Sequence, residues 1–280
     1  MKVLYDENDQ FCKENTGRPY YKLSFEYKFS YEGDVVYFCQ SIPYGVTELS
    51  KFLATHVNEK ANNKLLRFKN LARTLGNQEV DIIEISDEEN RDNKQVVWII
   101  GRQHSGEVTS SYMMEGVINT LLSRTPETAF LLRHFIFKIV PMVNMDGVVH
   151  GNTRSELSGA DPNRKWANPH KLRNPVVYAL RKAIEKDKGN IAMFLDLHSH
   201  SRKLGTFFYG NSFRDNKVCT RKFPFMVCEK DSRFSYLSSR FTQCNTSSAR
   251  HVLFESLQIP LIYTVESSFY GYQSEDHNIV

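Results

Sequence analysis

The chain has 280 residues, 41% hydrophobic and 24% charged, with a formal net charge of +4. That suits one large globular domain, or a domain and a smaller unit, and not a disordered or fibrous chain. It argues against two partners: no segment approaches the roughly 20 apolar residues needed to span a bilayer, and no basic block supports nucleic-acid binding.

Residues 20–30, "YYKLSFEYKFS", alternate in part and carry many aromatics, which predicts a strand. "YEGD" is a turn and "VVYFCQ" (35–40) a second strand, so this region is expected to be the last hairpin of a β-rich unit, too small to fold alone. In "SIPYGVTELSKFLATHVNEKANN", Val46, Leu49, Phe52 and Leu53 follow helical spacing. "EVDIIEIS" and "QVVWIIG" are strands separated by the polar turn "NRDN". "EVTSSYMMEGVINTLLSR" is a helix with Met113, Val117, Ile118 and Leu121 on one face. The strand "HFIFKIVPMVN", the helix "NPVVYALRKAIEK" and the strands "IAMFLDLH", "LGTFFYG" and "PLIYTVESSF" complete the chain. Strands alternating with helices predict an α/β domain whose sheet is largely parallel.

Ligand sites of such sheets lie beyond the carboxyl ends of the strands. The polar residues that stand out sit there: His104 and Glu107, Asn144 and Asp146, His198, and Glu266. Catalytic zinc takes three protein ligands of the histidine and carboxylate type and keeps a fourth position open. "GRQHSGEV" (101–108) places His104 and Glu107 in one strand-to-helix turn, and "FLDLHSHS" offers His198. An HxxE pair alone is common by chance, and His198 alone would be a strand-end histidine; convergence of several strand ends makes the case. His200 is read as facing the cleft without reaching the metal. Glu266 follows the apolar run "PLIYTV", where an unpaired charge is costly and wants a reason. The five cysteines (Cys12, Cys39, Cys219, Cys228, Cys244) form no CxxC pair and suggest reduced thiols. The N-terminus, "MKVLYDENDQ", lacks the apolar core of a signal peptide.

"HSGE", "NMDGVVHGNTRSELSGADPNRKW", "DLHSHS" and "YTVESSF" occur in the order found in the zinc metallocarboxypeptidases. "PNRKW", "DLHSHS" and "ESSFYG" most resemble the cytosolic branch, whose members trim tubulin tails and other acidic C-termini. The resemblance covers roughly residues 20–272. It implies an α/β fold, a mixed twisted sheet with helices on both faces, preceded by a short β-rich remnant of an N-terminal domain. The expected division is 1–42 for that remnant and 43–280 for the catalytic domain. It implies one Zn²⁺ per chain, held by His104, Glu107 and His198. It implies Glu266 as general base and acid, Arg154 as the holder of the developing oxyanion, and Asn163 and Arg164 as anchors of the substrate's terminal carboxylate. Asp161 matches a carboxylate behind the first zinc histidine. Arg250 is the candidate for the arginine that lines the specificity pocket and pairs with a glutamate side chain, and Tyr236 a candidate for a capping tyrosine. The implied partners are acidic protein tails such as tubulin's, in a cytoplasmic, microtubule- or cilium-associated setting.

The sequence departs from the family pattern at Pro162, where relatives carry an apolar residue, and in the short segment from Cys244 to Arg250. Both ends look short against relatives, which continue after the Glu266 strand into a helix packed on the sheet. Two other readings stay open: an amidohydrolase of related fold acting on small N-acyl amino acids, and a module that holds acidic tails without cutting them. The context of "GADPNRKW" and "ESSF" favours a peptidase over the first, and the presence of Glu266 argues against the second.

Overall fold

The structure is a computed structural model and describes residues 3–6, 22–58, 64–242 and 246–272. The chain divides into two compact units, 1–40 and 41–280. In the first, β1 (Val3–Asp6) pairs antiparallel with β2 (Lys22–Phe25). This corrects the hairpin expected from sequence. Residues 35–39 form no ladder with β2; Val35, Tyr37 and Phe38 are exposed, and Phe38 meets Phe25 and Tyr27 only through its ring. Apolar composition resembled a strand there, but strand pairing requires a hydrogen-bonding neighbour, and β1 supplies it instead.

The second unit opens with helix α1 (Val46–Asn58) and is built on β3 (Leu66–Arg73), β4 (Glu79–Ile85), β5 (Gln95–Gly101), β6 (Phe135–Val140), β7 (Ile191–His200), β8 (Thr206–Tyr209) and β9 (Ile262–Ser268). They form one seven-stranded sheet in the order β3-β4-β6-β5-β7-β9-β8. The centre, β6-β5-β7-β9, is parallel, while β3, β4 and β8 attach antiparallel. The sheet is therefore mixed, as expected. The sequence alternation of β5 explains the layers. Val96, Trp98 and Ile100 face one side and Val97 and Ile99 the other, all buried. A strand buried on both faces needs a layer on each. On the first side lie α5 (Pro175–Lys186), through Val177, Leu180 and Ile184, and α7 (Ala249–Leu257), through Val252 and Leu253. On the second lie α2 (Thr109–Leu121), through Met114, Ile118 and Leu121, and α3 (Pro126–His134), through Leu132. Two short helices, α4 (Met145–Val149) and α6 (Lys222–Cys228), join the rest. No helix among the described residues is long and apolar enough to cross a membrane.

Candidate metal centre and its cavity

β5, β6, β7 and β9 run parallel, so their carboxyl ends share one edge. His198 on β7 stands opposite Glu266 on β9 in register, and the alternation that puts Phe194 and Ile262 on the α5–α7 face carries His198 and Glu266 to that same face.

The turn after β5 brings its two residues toward them. Arg102 holds the turn from behind. Its backbone is left-handed (φ 54°), a conformation that costs a non-glycine residue roughly 1–2 kcal/mol. Its buried guanidinium offsets this by donating to the Ser105 carbonyl (2.9 Å), Ser111 Oγ (2.7 Å) and the Tyr44 carbonyl (2.9 Å). Burial pulls the Arg102 pKa down to about 10, so it keeps its charge at neutral pH. Gly106 packs directly on the 150s loop: its N–H donates to the Thr153 carbonyl at 2.7 Å, and a Cβ there would lie 2.8 Å from the same oxygen. Only glycine fits this approach.

The three expected ligands converge. His104 Nδ1 lies 2.7 Å from Glu107 Oε1, His198 Nδ1 lies 2.8 Å from Glu107 Oε2, and the two Nδ1 atoms are 3.2 Å apart. Among the described residues this is a group that could hold a metal ion. Tetrahedral zinc with Zn–N bonds of about 2.0–2.1 Å holds its donors roughly 3.3 Å apart, so this nitrogen pair fits. The far ring nitrogens are also placed. His104 Nε2 faces Asp161 Oδ1 (3.1 Å) and His198 Nε2 faces Asp196 Oδ2 (2.9 Å). A carboxylate so placed favours the tautomer with the proton on Nε2, which leaves Nδ1 as the donor atom turned to the shared point. Burial works against a charge on His198, but Asp196 and Glu107 outweigh it and raise its pKa well above the ordinary value. The same histidines hold Glu107 well below the usual carboxylate range, against its burial. A metal ion would displace the proton between them.

Around this group lies a cavity of about 320 Å³. Its walls include eight residues singled out from sequence: His104, Glu107, Arg154, Asn163, Arg164, His198, Arg250 and Glu266. Burial raises Glu266 to about 7, with the Glu107 and Asp196 charges adding and the histidines opposing. Arg154 is half-exposed; its Nε donates to Asp161 Oδ2 (2.6 Å) and its Nη1 stands 3.9 Å from Glu107. Pro162 begins a 3-10 turn, 162–164, capped by Asp161, whose Oδ1 accepts the Asn163 N–H (2.8 Å). Proline is accommodated there because the first N–H of a helical turn has no partner to lose. Asn163 Oδ1 accepts from the Ala249 N–H (2.9 Å), which joins this turn to the start of α7. Arg250 is the second residue of α7. It is buried, and Nη1 donates to the Gly210 carbonyl (2.6 Å) and to Asn211 Oδ1.

Three sequence candidates lie elsewhere. Asn144 caps α4 through the Gly147 N–H (2.9 Å). Asp146 accepts from Thr74 Oγ1 (2.6 Å) and the Gly76 N–H (2.9 Å), fixing the β3–β4 turn. These are strand-end residues with structural work. Asp146→Ala is expected to cost about 1–3 kcal/mol, because buried donors lose their acceptor, and to leave metal uptake unchanged; denaturant unfolding and metal analysis read the two effects. Tyr236 packs on Phe225 and Phe241 and does not line the cavity. The tyrosine that does is Tyr209, on β8 opposite Thr264. His200 lines the cavity outside the metal group, its Nδ1 accepting from the Arg202 and Lys203 N–H groups. Sequence reasoning passed over Asp196 and Gln103, although "DLH" and "RQH" set each beside or near a ligand.

Fold and donor set together define a class: α/β proteins with a two-histidine, one-carboxylate metal site at the ends of parallel strands. The chain belongs to the zinc carboxypeptidase family, whose model it matches over residues 54–279. It is 33% identical over 267 residues to cytosolic carboxypeptidase 6 of Mus musculus, covering 91% of this chain and 49% of that protein. It is 31% identical over 276 residues to cytosolic carboxypeptidase 2 of Macaca fascicularis, covering 94% and 33%. It thus spans half or less of these two relatives. A solved metallo-carboxypeptidase from Burkholderia cenocepacia superposes with a TM-score of 0.72 at 26% identity, covering 81% of this chain and 61% of that one.

Proposed function

We propose that this chain is a zinc-dependent carboxypeptidase that removes glutamate from the C-termini or side chains of acidic protein tails, tubulin's among them. The observation that carries the reading is the cavity, where the metal group, a partly buried carboxylate with a raised pKa and three arginines meet. Bound zinc supplies Lewis acidity at the scissile carbonyl and acidifies water. Glu266 accepts a proton from the attacking water and hands it to the leaving amine. Arg154 stands where negative charge develops on the carbonyl oxygen, and Arg164 and Asn163 hold the substrate's terminal carboxylate, a task suited to a planar guanidinium. The relatives' names place them in the cytosol, and we assign this chain to the same compartment.

Arg250 gives the reading its preference for acid. It is buried in the cavity at the N-terminal end of α7, where the helix dipole also favours an anion. A glutamate side chain there would form charge-assisted hydrogen bonds worth roughly 1.5–3 kcal/mol, or about ten- to a hundredfold in specificity. An aromatic end would leave a desolvated cation facing it. Glutamate-ended peptides are therefore expected to be cut faster than tyrosine-ended ones, followed by mass spectrometry, and Arg250→Ala to lose that preference. Salt separates this from the attraction of the net charge, which fades beyond about 10 Å at roughly 0.1 M. Efficient tyrosine release, unaltered by Arg250→Ala, would remove glutamate from the proposal.

A further inference from the structure

We propose that Gln103 and Trp166 are positioning residues for His198, acting through Asp196, and that Gln103 braces the two metal-site histidines against each other. The proposal rests on His104, Glu107 and His198 being the metal ligands.

Asp196 is fully buried on β7. Its Oδ2 accepts from His198 Nε2 at 2.9 Å and from Gln103 Nε2 at 2.7 Å, with Asn163 Nδ2 more distant at 3.5 Å. Its Oδ1 has no hydrogen-bond partner among the described residues. A carboxylate this poorly supplied depends heavily on each donor it has, because an unmet buried charge is costly. Gln103 is the strong neutral donor.

A glutamine amide can turn either way: one orientation would donate to Asp196 and the other would set oxygen against oxygen. Trp166 decides it. The indole N–H can only donate, and it meets Gln103 Oε1 at 2.8 Å. Both side chains are fully buried, and the Trp166 ring sits in the core beside Phe194. The amide is thereby fixed with Nε2 on Asp196. Every bond of the chain then runs one way, from indole to amide to carboxylate, where it meets the proton held on His198 Nε2.

Gln103 also precedes His104 directly. Its backbone leads into one ligand while its side chain grips the carboxylate behind the other, across the β5–β7 pairing. The separation of the two Nδ1 donors, 3.2 Å, is held by this brace as well as by the strands. Outer partners of metal-ligating histidines typically account for 10–100-fold in metal affinity; one bond further out, the effect is expected near the lower end.

The test is zinc affinity, measured on the whole chain by competition with a chromogenic chelator, alongside the melting temperature of the metal-free protein. Gln103→Met keeps the volume and removes both amide groups. Trp166→Phe leaves Gln103 in place and removes the donor, and it stands as the second variant should Gln103→Met fail to fold. Each folded variant is expected to bind zinc about tenfold more weakly. The double variant is expected to bind no more weakly than Gln103→Met alone, because Trp166 acts only through Gln103. A purely packing role would lower the melting temperature and leave the affinity of folded protein unchanged; that result, or additive losses in the double variant, overturns the proposal. Wild-type protein that takes up no zinc would instead overturn the ligand assignment on which it rests.

Discussion

Replacing Glu266 by glutamine is expected to lower turnover by at least about 100-fold, the lower range for a general acid–base residue. Glutamine keeps the size of the side chain and its place on β9 beside His198, but it cannot accept the proton. Zinc content and binding of a glutamate-ended peptide should be nearly unchanged, which separates loss of chemistry from loss of the site. In the metal-free chain burial raises Glu266 to about 7, so its carboxyl is half ionised at neutral pH and takes up its proton as pH drops through that value. Metal-free stability should follow this protonation. Between about 4.5 and 7 the folded chain holds a proton on Glu266 that the unfolded chain releases, so this group's contribution is complete below pH 4.5 and is lost as pH rises through 7. Metal-free Glu266→Gln should therefore melt above wild type at pH 8, with the gap closing toward pH 4.5. Equal inactivity of wild type and variant on acidic, aromatic and basic peptide ends would favour a module that binds tails without cutting them.

His198→Ala is expected to abolish stoichiometric zinc, about one ion per chain in the wild type. Two donors on one turn would remain, without the strand that completes the set. The variant also strands Asp196 and Glu107, carboxylates that now face a histidine. Removing one partner of a buried charged pair costs roughly 3–5 kcal/mol, so weaker folding is expected as well. Comparison with Asp146→Ala separates the two effects, since that variant should lose stability and keep its metal. Folded wild-type protein that fails to take up zinc from solution would end this reading of His104, Glu107 and His198.

The sheet's parallel centre was legible because each strand is an apolar run bounded by turn residues. The edge strand β3 was not. Arg67, Lys69 and Asn70 interrupt "LRFKNLAR" with exposed polar groups, which protects an open edge from unwanted pairing and hides the strand from a hydrophobicity reading. Helix α3 carried readable signals, with Thr125 as its cap, Pro126 at its first turn and Arg133 and His134 at its last, but its short apolar stretch gave little periodicity. Within the site, residues embedded in motifs were found. Gln103, Tyr209 and Thr264 were missed because their importance comes from what lies across the sheet, and spacing along a chain does not carry that. Asn144 and Asp146 show the converse: strand-end position drew attention to them, and only the partners of their side chains reveal a structural task.

The close approach of Gly106 to Thr153 divides the site into parts with different freedom to change. The turn carrying His104 and Glu107 and the loop carrying Arg154 are pressed backbone to backbone, with Ser105 Oγ adding a bond to the Asn152 carbonyl at 2.6 Å. Lengthening or tilting the Arg154 loop would drag the turn carrying His104 and Glu107 with it. Arg250 and Tyr209 stand on other elements, α7 and β8. On the proposed reading, a side-chain substitution at Arg250 or Tyr209 would change what the pocket accepts without altering this backbone seam.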